Sequence, residues 1–401
     1  MIYLDHNATT PVKPEVAALM SRALSELPGN PSSVHAAGRL ARDAIERARA
    51  AIARSVGALP EEIVFVSSGT DGDNQAVRGL AAGAAARGRK HIISSRVEHP
   101  AVRESVQWLA NAGHPVTWLP VSKDGHIDPA TLAGALRDDT GLVTLSLANH
   151  EIGNVYPVAE LAALARAGGA LVHTDAVQAL GKVPVSFREL GVDAGTFSAH
   201  KVGGPKGVAA VFIRRGLDLP PLLAGGHQER ERHPGTENVP GIVGFSSAVV
   251  DAVARQSSEA NRLLALRLTL EDRIRAIPGA RLNGASDPLC RVAGTTSVSF
   301  AGAPGQLVVI ALDLEGICVS TGAACTSGSL QPSPVLRALG FSDAEAAEGV
   351  RMSLGWTTRA EDIDALTDVL PKIVARVRTA TRTDLHAMGS ENLLSAQRGI
   401  A

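Results

Sequence analysis

Cysteine is scarce in this chain. Three residues, at positions 290, 318 and 325 of 401, form no CxxC pair. So sparse and odd a set fits neither a disulfide framework nor a zinc ribbon. Charge of one sign is also not in surplus: 39 basic residues face 40 acidic ones, a formal net charge of −1. That balance excludes nucleic-acid binding through bulk charge, and no strongly basic run replaces it. Long apolar runs are missing too, since none approaches the ~20 residues that span a bilayer. The opening Met1-Ile-Tyr-Leu-Asp-His6 has neither a basic nor an apolar signal region. A cytoplasmic globular protein is therefore expected, without membrane or nucleic-acid partners. What is present is core-forming material, 45% hydrophobic and 20% charged. The length allows two or three domains.

Short β-rich runs alternate with helical stretches over most of the chain. Residues 63–67, 91–94, 116–119, 142–147, 171–175, 195–198 and 209–213 read as buried strands. Residues 71–86, 101–112, 130–136 and 158–167 read as the helices among them. This alternation predicts an α/β fold with a mainly parallel seven-stranded sheet covered on both faces. Beyond residue 255 the pattern changes. A charged helix over 258–276 leads to strands at 296–300, 317–320 and 350–353 and a helix at 306–314. Thr358-x-x-Glu361 reads as a capping box opening a last helix. The expected organisation is a large α/β domain over 15–255 and a smaller α+β domain from 1–14 and 256–380. Residues 381–401, which lack periodicity, read as a loose tail.

In an open parallel sheet, ligands gather at the carboxyl ends of the strands. Here those ends carry Ser68-Gly-Thr70, Glu98-His99, Asn149-His-Glu151, Asp175 with Gln178, and Ser198-Ala-His-Lys201. The small-residue turn at 68–70 opens a helix and offers backbone N–H groups to a phosphate. No metal site is expected: His150-Glu151 begins like HExxH but residue 154 is Asn, and the charges between His227 and His233 suit a solvated loop. Lys201 is the most informative residue. A lysine directly after a strand, ahead of a Gly-Gly-Pro turn, can form a Schiff base. Asp175 at another strand end can keep a pyridinium nitrogen protonated, and the two together predict pyridoxal 5'-phosphate. Cys318 lies in an apolar run and Cys290 has no supporting pattern. Cys325 lies in the Ser, Thr, Gly and Ala run of 320–329, where a thiol can travel and attack.

The ordered set Tyr3-Leu-Asp-His-Asn-Ala-Thr-Thr-Pro11, Gly29-Asn-Pro-Ser-Ser33, Ser68-Gly-Thr70, Glu98-His99, His173-Thr-Asp-Ala-Val-Gln178, Ser198-Ala-His-Lys201, Gly204-Pro-Lys-Gly207, Gly235-Thr-Glu-Asn-Val239 and Ser320-Thr-Gly-Ala-Ala-Cys-Thr-Ser-Gly-Ser329 resembles the cysteine desulfurases of the NifS/IscS type. The resemblance runs from residue 3 to about 378. It implies a fold-type-I pyridoxal-phosphate enzyme that works as a homodimer on L-cysteine. Lys201 would hold the cofactor, Asp175 its pyridine nitrogen and Gln178 its ring hydroxyl, with His99 stacked on the ring. Gly69, Thr70, Ser198 and His200 would cradle the phosphate, and Thr236 would reach the phosphate of the partner subunit. Arg351 would clamp the substrate carboxylate. Cys325 would take sulfur as a persulfide, with His99 as a base for the thiol, and alanine would leave. A long Cys325 loop matches the desulfurases that hand sulfur to an acceptor or iron-sulfur scaffold protein.

Two departures stand out. His150 occupies a position where the family usually has an Asn bonding the ring hydroxyl, and an imidazole there titrates near neutrality. His233-Pro234 replaces the usual Arg-Ser or Arg-Ala before Gly235-Thr236, losing a fixed charge that the adjacent Arg232 could restore. Other class V reactions, such as a selenocysteine lyase, and a sulfur-relay scaffold with weak turnover are the competing readings. The intact Lys201, Asp175 and Cys325 set disfavours the scaffold.

Overall fold

A computed structural model describes residues 1–322 and 332–398, with side chains described through Thr381. The chain opens with a short strand, β1 (Ile2–Tyr3), and then lays down seven strands. These are β2 (Ile63–Val66), β3 (His91–Ser95), β4 (Val116–Leu119), β5 (Thr140–Thr144), β6 (Leu171–Asp175), β7 (Ala194–Ser198) and β8 (Ala209–Ile213). They form one sheet in the order β2-β8-β7-β6-β5-β3-β4. Only β8 runs antiparallel to its neighbours; the other ladders are parallel. All residues of β2, β3, β5, β7 and β8 are buried, as a sheet covered on both faces requires. The edge strand β4 buries only Leu119.

The crossover helices begin where local chemistry can cap them. Gly69–Ala85 starts two residues before the predicted position because the Ser68 hydroxyl accepts the Asp71 N–H at 3.1 Å. Pro100–Asn111 and Pro129–Ala135 start on proline, whose missing N–H costs nothing there. The predicted strand 142–147 is instead Thr140–Thr144. Beyond it the chain stays bonded to β6 through Leu145 and Leu147 without a regular ladder.

A second core is built from β9 (Ala280–Asn283), β10 (Thr295–Phe300), β11 (Ile317–Cys318) and β12 (Gly349–Ser353). Strands β12, β10 and β9 form an antiparallel sheet, while β11 pairs in parallel with β1. Leu4 joins this core with Leu270, Phe300, Met352 and Leu366.

Helix Val239–Arg275 spans 37 residues and corrects the expected helix over 258–276. Its first half buries Ile242, Phe245 and Val249 against the main sheet; its second half buries Leu270 and Ile274 in the other core. The change of partner midway, not a break in the helix, produces the composition shift near residue 255. The Thr358 capping box is also absent. Thr358 Oγ1 accepts from Gly355 N at 3.0 Å, and Asp362 takes the Arg359 N–H at 2.8 Å instead. That last helix, Ala360–Arg398, runs on through the segment read as a loose tail. Residues 382–398 lack an apolar stripe, but they also contain no proline to stop a helix. Among the described residues no helix is long and apolar enough to cross a membrane.

Candidate active site

Because β6 and β7 are parallel neighbours, with Asp175 paired to Thr196, their carboxyl ends bring Asp175 and Lys201 to one region. Lys201 lies in a single turn of 3-10 helix, Ala199–Lys201, right after β7. Its Nζ donates to the carbonyls of Asn7 at 2.5 Å and Ala8 at 2.9 Å. The N-terminal segment thus folds over the strand ends and receives the lysine.

Asp175 is buried, and its Oδ1 accepts the Val177 N–H at 2.8 Å. Burial pushes its carboxyl up to about 6, opposed by that N–H and by the Lys201 charge. Two further buried acids stand close. Burial, then the Asp175 charge, holds Asp73 well above the usual carboxylate range. Burial also carries Glu98 up to about 8, despite the Ser146 hydroxyl that bonds it. Polar atoms of Asp73, His99 and Asp175 lie within 4.8 Å of one another.

Sequence reasoning missed Asp73. The signal was available: it stands four residues after Gly69, on the helix face that turns towards the strand ends. It also missed Asn7, whose carbonyl takes the Gln178 amide at 2.8 Å as well as Lys201.

Gly69 and Thr70 open their helix, so their N–H groups have no intrahelical acceptor. A Cβ on Gly69 would lie 3.1 Å from Val177 Cγ2 and 3.7 Å from Ser198. The buried Ser198 hydroxyl has no protein partner. This is a cradle for an anion at a helix N-terminus, and it fits the phosphate of the implied cofactor. His200 Nδ1 lies 3.2 Å from Thr9 Oγ1, and burial followed by the Lys201 charge lowers its ring to about 4.

The family described as Aminotransferase class-V matches residues 2–366. Cysteine desulfurase IscS of Dictyoglomus turgidum is 44% identical over 379 residues, 94% of this chain and 95% of that protein. A solved NifS-like protein superposes with a TM-score of 0.87 at 35% identity, covering 93% of this chain and 99% of its own. The solved structure described as SspA in complex with cysteine has a TM-score of 0.76 at 32% identity, covering 88% of this chain and 99% of its own.

This chain belongs to the class-V aminotransferase family, with the NifS/IscS-type cysteine desulfurases. Its fold is that of the NifS-like structures.

His99 caps helix Pro100–Asn111, its Nδ1 accepting the Ala101 N–H at 3.1 Å. Burial, then the charges of Lys201, Arg103 and Arg351, lowers the ring to about 4. A neutral ring with Nδ1 as acceptor carries its proton on Nε2. In that state His99 is a donor at Nε2. His150 packs edge-on against His99, centroids 5.1 Å apart. Burial, then His99 and Arg351, holds it well below the usual imidazole range. The near-neutral titration expected of His150 does not occur in this environment.

Gln178 is engaged at both ends, its Nε2 on Asn7 and its Oε1 taking Lys182 Nζ at 2.5 Å. One amide N–H remains for a ring hydroxyl. Arg351 is buried in β12, donating to Asp5 Oδ1 at 2.8 Å and His150 O at 3.0 Å; its buried Nε has no partner.

Thr236 is exposed and lines a separate cavity with Phe65, Gly207 and His233, so this protomer does not bring it to its own strand-end cradle. His233 Nε2 lies 2.8 Å from Asp71 Oδ2, and that bond raises its ring above the usual range. The bond favours the charged form of His233, at the position where the sequence pattern lacks an arginine. Arg232 does not supply that charge, pointing instead to the Glu61 carbonyl at 3.3 Å. His227 faces Glu231 on the surface, apart from His233. Cys325 lies outside the described residues.

Proposed function

We propose that this protein is a pyridoxal-phosphate-dependent cysteine desulfurase. It takes sulfur from L-cysteine, releases L-alanine and carries a persulfide on Cys325 to an acceptor, for instance an iron-sulfur scaffold protein. The observation that carries this reading is the pairing of Lys201 and Asp175 at adjacent strand ends, beside the Ser198 and Gly69-Thr70 cradle.

Pyridoxal phosphate, when bound, supplies the electron sink that makes the substrate Cα proton removable. The chain's own groups do the rest. Lys201 holds the cofactor and then takes the Cα proton on Nζ. Asp175, buried at the end of β6, would face the pyridine nitrogen and keep its proton in place. His99 would stack on the ring and offers Nε2–H as a donor, and His150, edge-on to it, would stand by the ring hydroxyl. Gly69, Thr70, Ser198 and His200 hold the phosphate, and Thr236, exposed on its own protomer, reaches the partner's phosphate in a homodimer. Arg351 takes the substrate carboxylate.

In the sulfur step a bond forms between Cys325 Sγ and the substrate sulfur, and the substrate C–S bond breaks. Thiol plus cysteine becomes persulfide plus alanine, with no outside oxidant. Ser320 is backbone-bonded to Arg351, at 3.1 and 2.7 Å in the two directions. Cys325 follows Ser320 by five residues in sequence. The first 14 residues and 256–380 form the smaller domain in this reading, and the enzyme is cytoplasmic.

Borohydride reduction of the yellow holoenzyme, followed by peptide mapping, tests the assignment. The cofactor should be fixed on Lys201, and Lys201→Ala should abolish turnover while the chain still folds. A label on another lysine would overturn the reading.

A further inference from the structure

A second amine shares the support that holds Lys201. Lys182 Nζ donates to Gln178 Oε1 at 2.5 Å and to Asn7 Oδ1 at 2.9 Å. Lys201 donates to the Asn7 carbonyl. One asparagine thus holds two lysines, one on its side chain and one on its main chain. Asn7 itself is fixed from three sides. Its N–H goes to Ser353 Oγ at 2.9 Å, and its amide donates to Thr295 Oγ1 at 2.9 Å and to His150 O at 3.3 Å.

Lys182 has no described carboxylate within ion-pair distance. Asp251 is taken by Lys13 and Arg255, and Glu259 by Arg262. The charged and titratable groups that face it are Lys201, Arg351, His6 and His200. Burial, then the charges of Lys201 and Arg351, brings its amine down to about 7, so near neutrality it both takes and releases a proton. Lys182 and Lys201 also border one cavity of about 480 Å³, with Asn7, Thr10 and Trp356 in its wall. That volume holds many waters, at about 30 Å³ each. His99 and Asp175 do not line it.

We propose that Lys182 is the proton-exchange partner of Lys201, connecting the catalytic amine to water in this cavity. The inference rests on the role given to Lys201 above. The step is a plain proton transfer. An N–H bond of the Lys201 ammonium breaks and its electron pair stays on Lys201. The neutral Lys182 amine takes the proton, directly or through one cavity water, and then gives it to solvent water. Lys182 touches neither substrate nor cofactor; it acts through Lys201 and is a positioning residue. A Lys201 without such a partner would return the substrate's own hydrogen to alanine in up to about one turnover in three, because its ammonium carries three interchangeable hydrogens. A Lys201 in exchange returns solvent hydrogen.

The test follows that hydrogen. Holoenzyme is given L-cysteine deuterated at Cα in ordinary water, and the deuterium retained in alanine is read by mass spectrometry. Wild type should retain little. Lys182→Met removes the amine; Lys182→Arg keeps the charge but cannot release a proton near neutrality. Both should raise retention by about threefold or more, with pyridoxal-phosphate affinity of the apoenzyme within about twofold of wild type. Unchanged retention in both variants would overturn the proposal. So would an arginine variant that behaves as wild type, since charge alone would then suffice. Borohydride labelling of a lysine other than Lys201 is a different failure, one that removes the Lys201 assignment itself.

Discussion

Asp5 and Arg351 form an ion pair, Nη2 donating to Oδ1 at 2.8 Å, with the arginine almost fully buried and Asp5 partly open to solvent. The guanidinium proposed to take the substrate carboxylate therefore already faces a carboxylate of its own chain. Asp5 sets the orientation of the fork and competes for part of its charge.

Asp5→Asn separates those two effects. The amide oxygen can still accept the Nη2 hydrogen, so the fork keeps its place, while the competing charge is gone. KM for L-cysteine should fall roughly threefold, the worth of a partly exposed ion pair. The value for 2-aminoethanethiol, which has no carboxylate, should not change. A higher KM for cysteine would mean that the Asp5 charge is needed to hold Arg351.

His150→Asn tests the buried imidazole. Because burial and its cationic neighbours hold His150 well below the usual range, the ring is neutral throughout the interval between about pH 6 and 7.5. Replacing it with a neutral amide should leave the shape of the kcat profile in that interval unchanged. Loss of an inflection near neutrality in the variant would show that His150 ionises there after all.

The strand ends were legible in sequence because buried parallel strands read as short apolar runs and their polar termini follow at once. That is why Lys201 and Asp175 could be paired in advance. What stayed hidden depends on contacts between distant segments. Lys182 meets Asn7 across 175 residues of sequence, and no local pattern marks a lysine as buried beside another. The His99 tautomer was likewise invisible, since it is set by a capping bond to Ala101. Only the second half of the helix that crosses residue 255 is legible as a helix, because its two halves bury against different cores.

The His233–Asp71 pair should make stability depend on pH. His233 has its folded value raised, first by the Asp71 bond. Its contribution is complete below the unfolded value of about 6.5 and is lost as pH rises through the folded value. For Asp71, burial pushes up but the bonds from His233 and Ser67 outweigh it, so its value is lowered. That contribution is present above the usual carboxylate range and is lost on acidification. His233→Gln should therefore cost about 1 kcal/mol near pH 6, and less near pH 9. Urea unfolding of both proteins at the two pH values measures the difference. An equal cost at both would remove the imidazolium from the interaction.

Cys325→Ser should separate cofactor chemistry from sulfur transfer. The groups proposed to hold the cofactor sit at strand ends remote in sequence from 320–329, so the variant should stay yellow. Adding L-cysteine should still change its spectrum, because Lys201 and Arg351 remain. Alanine and sulfide formation should fall by about two to four orders of magnitude, since a serine hydroxyl is un-ionised near neutrality and attacks sulfur poorly. The other two thiols give the control. Cys318 is held in β11, opposite Tyr3. The Cys290 thiol is pushed up, first by burial and then by Asp287, which keeps it protonated. Cys318→Ser and Cys290→Ser should therefore keep most of the activity. Mass spectrometry of cysteine-treated wild type should find the added sulfur on the peptide containing Cys325. Near-normal alanine production by Cys325→Ser would overturn the persulfide step and make the enzyme a simple β-elimination lyase.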